Sequence, residues 1–422
     1  MNRLMLLPAA ALLAALTARP SAAQEGPSVR LSGEVRAEAS WAPENTASVF
    51  SGLSPYEEMV AAGVLDGKIA LSRRYTTLGL LDFTFCDHNL LAHLDGAGLE
   101  VLSFTVNELY ADVNYSDLLF LRLGKQRLKW GAGFIFNPSD PVNPPKDPTE
   151  ALAVREGVNA LKVELITQAA SLMAFGIWHD ELQETGVGGR LSTSALPNTD
   201  LAVSGYWSAG QSWTAALNAS IAPLYALPGW DTLQLWFEGS LYDRGRYASF
   251  AEGILPGAVT TGEAKGLQYC LLAGATAQLP LLRTVLLTEY YHLSEGLSAG
   301  ELAAVYRALG SSDASVVAES SAWFAELATR PGRQGADYLF LSLSQPSITD
   351  NGHPVFDKIG FQATCLLSLT DLSFYLISTL STRFVEDSSV ELSAAWAHGA
   401  AETEFGNSPA GLIATLTVRV FF

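Results

Sequence analysis

Across residues 29–41 the chain alternates between apolar and polar positions. Val29, Leu31, Gly33, Val35, Ala37, Ala39 and Trp41 oppose Arg30, Ser32, Glu34, Arg36, Glu38 and Ser40. A period of two puts one class of side chain on each face of a β-strand. The period recurs over 232–242, where Leu233, Leu235, Phe237 and Leu241 oppose Gln234, Trp236, Glu238 and Ser240. It also closes the chain: Leu412, Ala414, Leu416, Val418, Val420 and Phe422 alternate with Ile413, Thr415, Thr417, Arg419 and Phe421. Read this way throughout, the sequence predicts strands near 29–41, 63–74, 76–87, 99–114, 117–130, 157–167, 170–179, 187–195, 200–208, 211–222, 231–242, 265–279, 281–293, 336–345, 355–369, 371–384, 387–398 and 410–422.

Alternation on this scale requires two unlike environments. In hydrocarbon every backbone N–H and C=O needs a partner, so a spanning sheet closes on itself without a free edge. The pattern therefore predicts an all-β fold, a transmembrane antiparallel up-and-down β-barrel of about 16–18 strands. A secreted β-sandwich or propeller also alternates, but no fixed-period repeat supports a propeller. Short turns at 114–117, 167–170 and 385–388 face long connectors at 42–62, 88–98, 131–156, 243–264, 294–335 and 399–409. Barrels with short periplasmic turns and long outer loops place both termini on the periplasmic side. The brief connection at Thr370 and Asp371 falls on the long-loop side, against that rule. Trp41, Trp130, Trp178, Trp207, Trp213, Trp230 and Trp396 lie near proposed strand ends, where interfacial girdles belong, whereas Trp236 is mid-strand and Trp323 is in a loop.

Composition narrows the function. The 422 residues are 49% hydrophobic and 16% charged, with 25 Lys and Arg against 43 Asp and Glu and a formal charge of −18. So apolar a chain is not disordered. So acidic a chain repels phosphate backbones, and no nucleic-acid partner is expected. Residues 1–23 read as a signal peptide, with Arg3, an apolar stretch and a small-residue site at Ser21-Ala22-Ala23, leaving 24–422 as a single barrel domain. Cys86, Cys270 and Cys365 show neither a disulfide framework nor zinc spacing.

The last strand, with apolar residues at every second place and a terminal Phe422, resembles the assembly signature of bacterial outer-membrane β-barrels. A second segment carries Gly124-Lys125-Gln126-Arg127-Leu128-Lys129-Trp130-Gly131-Ala132-Gly133, then an Asn-Pro and Asp-Pro loop with five prolines between 138 and 148. It is similar to porin-like outer-membrane families, some linked to polysaccharide export. The resemblance implies an outer-membrane protein of a diderm bacterium, in contact with membrane lipid and the barrel-assembly machinery.

Lys125, Arg127 and Lys129 share one strand face and are expected in the lumen, since a base facing lipid costs about 2–4 kcal/mol at the midplane. Leu119, Leu121 and Leu123 have the same parity, so a bulge near Gly124 is expected. These bases, with Asp140 and Asp147 on an infolded loop, would form a charged constriction. A salt-bridged wall that only stiffens the barrel is the rival reading. Arg30, Glu34, Arg36, Glu38, Glu238 and Arg419 are further pore-lining candidates.

Two stretches read as helical. Ser298-Ala299-Gly300-Glu301 fits a capping box, followed by a stripe of Leu302, Val305 and Leu309 and a second of Val316, Val317, Trp323, Phe324 and Leu327. A shorter helix is expected from Ser54, as N-cap before Pro55, to Gly63. Six scattered histidines show no catalytic or metal motif, so neither an enzyme, a cofactor nor a metal is expected. The expected function is a passive channel for ions or small hydrophilic solutes. The alternatives are a plugged barrel serving as adhesin or structural protein, and a transporter of hydrophobic or polysaccharide substrates.

Overall fold

This computed structural model describes residues 28–422 apart from 44, 50–56, 73–74, 88–99, 116, 129, 144–156, 179–184, 210–212, 225–231, 244, 250–259, 265, 280–282, 329–333, 350–351, 354 and 384–386. For 28–31, 57–72, 75–87, 100–105, 107, 245–249, 260–264, 323 and 325–328 it describes the backbone alone. The expected signal peptide lies outside the described residues.

Among the described residues twenty strands follow in order: β1 (Ser28–Trp41), β2 (Glu57–Ser72), β3 (Tyr75–Asp87), β4 (Glu100–Tyr115), β5 (Leu119–Gln126), β6 (Val158–Ile166), β7 (Ala170–Ile177), β8 (Gly186–Leu196), β9 (Thr199–Ser208), β10 (Trp213–Ile221), β11 (Gln234–Tyr242), β12 (Gly245–Ser249), β13 (Thr260–Ala264), β14 (Gln268–Gln278), β15 (Val285–Leu293), β16 (Asp337–Gln345), β17 (Ile359–Ser368), β18 (Phe374–Thr382), β19 (Ser388–His398) and β20 (Leu412–Phe421). β12 and β13 pair only with each other, in the connector between β11 and β14. The other 18 form one antiparallel up-and-down sheet in which each strand pairs with its neighbours in sequence, β11 pairs with β14, and β1 pairs with both β2 and β20. No strand of that sheet keeps an unpaired edge, as a membrane-spanning sheet requires. Every strand expected from alternation is present.

Register turns the alternation into two surfaces. Ala39, Leu416 and Leu392 are opposite one another on β1, β20 and β19, and Leu392 and Leu416 are exposed. Thr417, next to Leu416, is buried within, and Trp41, two residues on from Ala39 and on the same face, is exposed without. Leu109, Leu123, Leu172, Leu191, Val203 and Leu217 continue the exposed apolar band round the sheet. Trp41, Trp178, Trp207, Trp213 and Trp396 are exposed, and all five lie at the end of the barrel that carries the long connectors. Trp130 and Trp236 instead are buried inside, and Trp230 lies outside the described residues.

Two expectations are corrected. Residues 57–63 extend β2 and are not a helix, because Glu57–Gly63 pairs residue for residue with Val35–Trp41; cross-strand pairing overrides the local cap signal. Ser54 lies outside the described residues. The register is continuous through Gly124, where Tyr110 and Ala160 are its partners. The irregularity is one strand away: Leu80 and Leu81 oppose Glu108 and Val106, leaving Asn107 as the extra residue of β4. Gly124 has φ +128°, and a Cβ there would stand 2.3 Å from the Leu109 carbonyl oxygen, so the glycine permits close approach without shifting the register.

The long connector between β15 and β16 forms α1 (Ala299–Leu309) and α2 (Ala314–Ala328). The capping box is present: Ser298 Oγ accepts from Glu301 N, and the Glu301 carboxylate accepts from Ser298 N. Leu302, Val305 and Leu309 are buried as one stripe, joined by Tyr306, Leu297 and Val316, with Val49 and Phe324 packed against them.

Candidate functional site

The connector leaving β5 turns into the barrel. Its peptide N–H groups, which have no strand to pair with, meet two glutamates on the inner wall. Glu238 of β11 accepts from Ala132 N, from Gly133 N at 2.7 Å, from Ser139 N at 3.2 Å and from Ser139 Oγ at 2.8 Å. Glu289 of β15 accepts from Phe134 N, from Ile135 N at 2.9 Å, from Phe136 N at 3.4 Å and from Trp236 Nε1 at 3.1 Å. Both glutamates are 0% exposed. A buried carboxylate is tolerated only when donors surround it, and a buried peptide N–H only when it has an acceptor. Each group here supplies what the other lacks.

Apolar packing completes the seat. Ile135 and Phe136 are buried against inward residues of β14–β17, among them Leu272, Tyr291, Tyr338, Phe340 and Leu366. The Phe136 ring stacks on Tyr291 with centroids 4.4 Å apart. Gly274 makes room for the Trp236 indole, since a Cβ there would fall 2.1 Å from the ring. Earlier in the connector, Leu128 and Trp130 pack on Met173, Phe175 and Ile177 of β7. The connector thus occupies one side of the lumen, from the outer end of β6 round to β17.

The opposite side is different in kind. Arg122 on β5 makes two bonds to Asp112 on β4, at 2.5 and 2.8 Å, and its guanidinium lies 3.8 Å over the Tyr110 ring. Lys162, directly across from Arg122, pairs with Glu164 at 3.2 Å. Arg419 on β20 pairs with Glu391 on β19. These six inward side chains are between 19% and 31% exposed. Water therefore reaches the inner wall here, while across the lumen Glu238, Glu289, Ile135 and Phe136 are shut off from it.

The sequence-derived candidates divide accordingly. Glu34, Arg36 and Glu38 are half-buried on the inner face of β1, where Arg36 stands opposite Arg419. Arg30 has the same parity on β1, with its backbone alone described. Lys125 does not join them: it pairs with Leu109 and Asn159 on the outward face, beside exposed Leu123. Its expected place in the lumen rests on the cost of a base facing lipid and requires a bulge near Gly124, which the continuous register does not contain. Arg127, just beyond β5, binds Glu108 at 2.8 Å and also donates its backbone N–H to it. Asp140 accepts from Val142 N, Asn143 N and Asn143 Nδ2, shaping the loop locally, and with Glu238 it acts electrostatically on Arg190 of β8. Lys129 and Asp147 lie outside the described residues. Phe422 exchanges two backbone hydrogen bonds of 3.0 Å with Gly33 on β1.

Glu289, Glu108, Asp112, Arg122, Lys162, Glu164 and Glu391 were not among the candidates. For Glu289 the available signal was a lone acid among Leu286, Leu287, Tyr290 and Tyr291, a setting that a carboxylate enters only with partners. Among the described residues no group of three His, Cys, Asp or Glu is arranged to hold a metal ion.

Solved structures share this architecture. Pseudomonas aeruginosa OccK5 (OpdH) superposes with a TM-score of 0.54 at 9% identity, covering 93% of this chain and 98% of that one. The chain has the same fold. Pseudomonas aeruginosa OpdL gives 0.54 at 10% identity over 93% and 98% of the two chains. Pseudomonas aeruginosa OccK2 (OpdF), solved in complex with glucuronate, gives 0.52 at 11% identity over 93% and 98%. The porin-like resemblance drawn from the sequence is thus matched by the fold. No protein-family model matches the sequence, and a search of curated proteins finds no match.

Proposed function

We propose that the protein is a channel of the bacterial outer membrane through which ions and small hydrophilic solutes diffuse passively. The observation that carries this reading is the division of the lumen: a dry side filled by the 130–143 connector, and a water-reached side walled by ion-paired charges. The pathway runs along β18–β20 and β1–β6, with the infolded connector as its constriction. In this orientation the long connectors and the tryptophan band face outward, and residues 1–23 direct export. Charges of both signs line the wall, which favours solutes that make polar contacts without selecting strongly by sign. No chemical step is needed, and the protein acts by shape and field alone.

The test is single-channel recording of refolded, heat-modifiable protein in a planar bilayer under a salt gradient. Discrete open steps are expected. Silence from protein shown to be folded refutes the channel and favours a plugged, binding barrel.

A further inference from the structure

The α1–α2 hairpin rises between β15 and β16 and touches both the adjacent connector and two that lie further round the sheet. α2 packs against β13, in the connector between β11 and β14. α1 packs on Val49, in the connector between β1 and β2, and Arg307 pairs with Glu402, between β19 and β20, at 3.6 Å. Those connectors stand on strands running from β14 round to β1, so the hairpin spans the mouth of the barrel and does not lie along its outer wall.

Its two ends meet at a neck. Leu297 N donates to Gln334 O at 2.9 Å, and Leu297 and Gly335 form an isolated bridge. The neck is clasped by one buried carboxyl. Glu404, from the connector after β19, accepts from Tyr338 Oη at 2.6 Å, and its own N–H donates to Asp371 Oδ2 at 2.7 Å. Tyr338 Oη accepts in turn from Gly335 N at 2.6 Å, and Thr370 Oγ1 accepts from Ala336 N and Asp337 N, both at 3.0 Å. The groups facing Glu404 are Tyr338 from β16, Asp371 from the turn after β17, Tyr306 from α1 and the backbone of Gln334 and Gly335. Among the described residues it has no basic partner.

We propose that α1–α2 is a lid over the outer mouth, held by Glu404 in its neutral form and released when that carboxyl ionises. Burial, reinforced by the nearby Asp371 charge, pushes Glu404 up to about 8 although Tyr338 and the backbone donors oppose the shift. An opened lid exposes Glu404 to water and returns it to the ordinary carboxylate range. Between the two values the closed lid holds a proton that the open lid has lost. The opening equilibrium therefore rises about tenfold per pH unit from roughly pH 5 and levels off near pH 8.

Amide hydrogen exchange across residues 299–309, corrected for intrinsic rates, reads this on the whole protein in micelles. The wild type is expected to lose protection with that slope and then plateau. Glu404→Gln should keep its protection flat across the range, which also separates Glu404 from the His292–Asp337 pair (2.9 Å) on the barrel exterior. Asp371→Asn should bring the plateau to lower pH, because one charge opposing ionisation is gone. A flat wild-type profile, a slope surviving in Glu404→Gln, or an unmoved plateau in Asp371→Asn overturns the proposal. Exchange does not depend on conduction, so the lid and the channel fail separately.

Discussion

Glu238→Ala removes one of the two anchors of the proposed constriction and leaves the barrel wall intact. Four donors lose their acceptor: the part-buried N–H groups of Ala132 and Gly133, and the buried N–H and hydroxyl of Ser139. A buried donor left unsatisfied costs about 1–3 kcal/mol. The effects are not additive, and with two of the four donors buried a combined loss of about 2–4 kcal/mol is expected, of which each 1.4 kcal/mol is about a factor of ten in the latched population. Glu289 still holds Phe134, Ile135 and Phe136, so the release is confined to 131–133 and 139–143. Single-channel recording with polymers of graded size is the assay. The exclusion limit and open-channel noise should both rise, and Glu238→Ala with Glu289→Ala should exceed the sum of the single changes, since either anchor alone keeps part of the loop seated. Heat-modifiable mobility on gels establishes that each variant is folded. Unchanged exclusion and noise in the folded double variant would refute the assignment of this loop as the constriction.

Arg127→Glu should shift the reversal potential toward cations, whereas Lys125→Glu, on the outward face, should leave it in place; equal shifts would contradict the register at Gly124. Leu392→Arg should destabilise the barrel by about 2–4 kcal/mol in a bilayer, while Ser393→Arg on the inner face should cost far less, as read by urea unfolding in vesicles. Gly124→Ala should lower refolding yield sharply, because its Cβ meets the Leu109 carbonyl oxygen and its φ of +128° strains any L residue; a yield equal to wild type refutes the close approach.

The barrel was legible because its signal is repeated. A single alternating stretch is weak, but register forces each strand to present the same face as its neighbour, so Leu392, Leu416 and Ala39 had to agree. The helical hairpin was legible because its signals are local, a capping box and a stripe within a few turns. The infolded connector was only half legible. The proline-rich loop and Glu238 drew notice as polar features, yet what joins them is a set of peptide N–H groups, which every sequence has and none displays. Lys125 was misplaced for a different reason: its charge argued for the lumen, but β5 alternates without interruption and carries it to the outward face with Leu119, Leu121 and Leu123.

The seam between β1 and β20 has a kinetic consequence. Most contacts in the sheet join strands adjacent in sequence and form as soon as both have emerged. The seam joins Glu34 to Phe421, residues separated by nearly the whole chain. Closing so long a loop carries the largest entropic cost of any pairing in the molecule, and slow folding follows such non-local contacts. Until it closes, both terminal strands present bare edges that other chains can pair with. The order of assembly is thereby set: hairpins first, seam last, with the waiting sheet in need of shelter until Gly33 and Phe422 exchange their two hydrogen bonds.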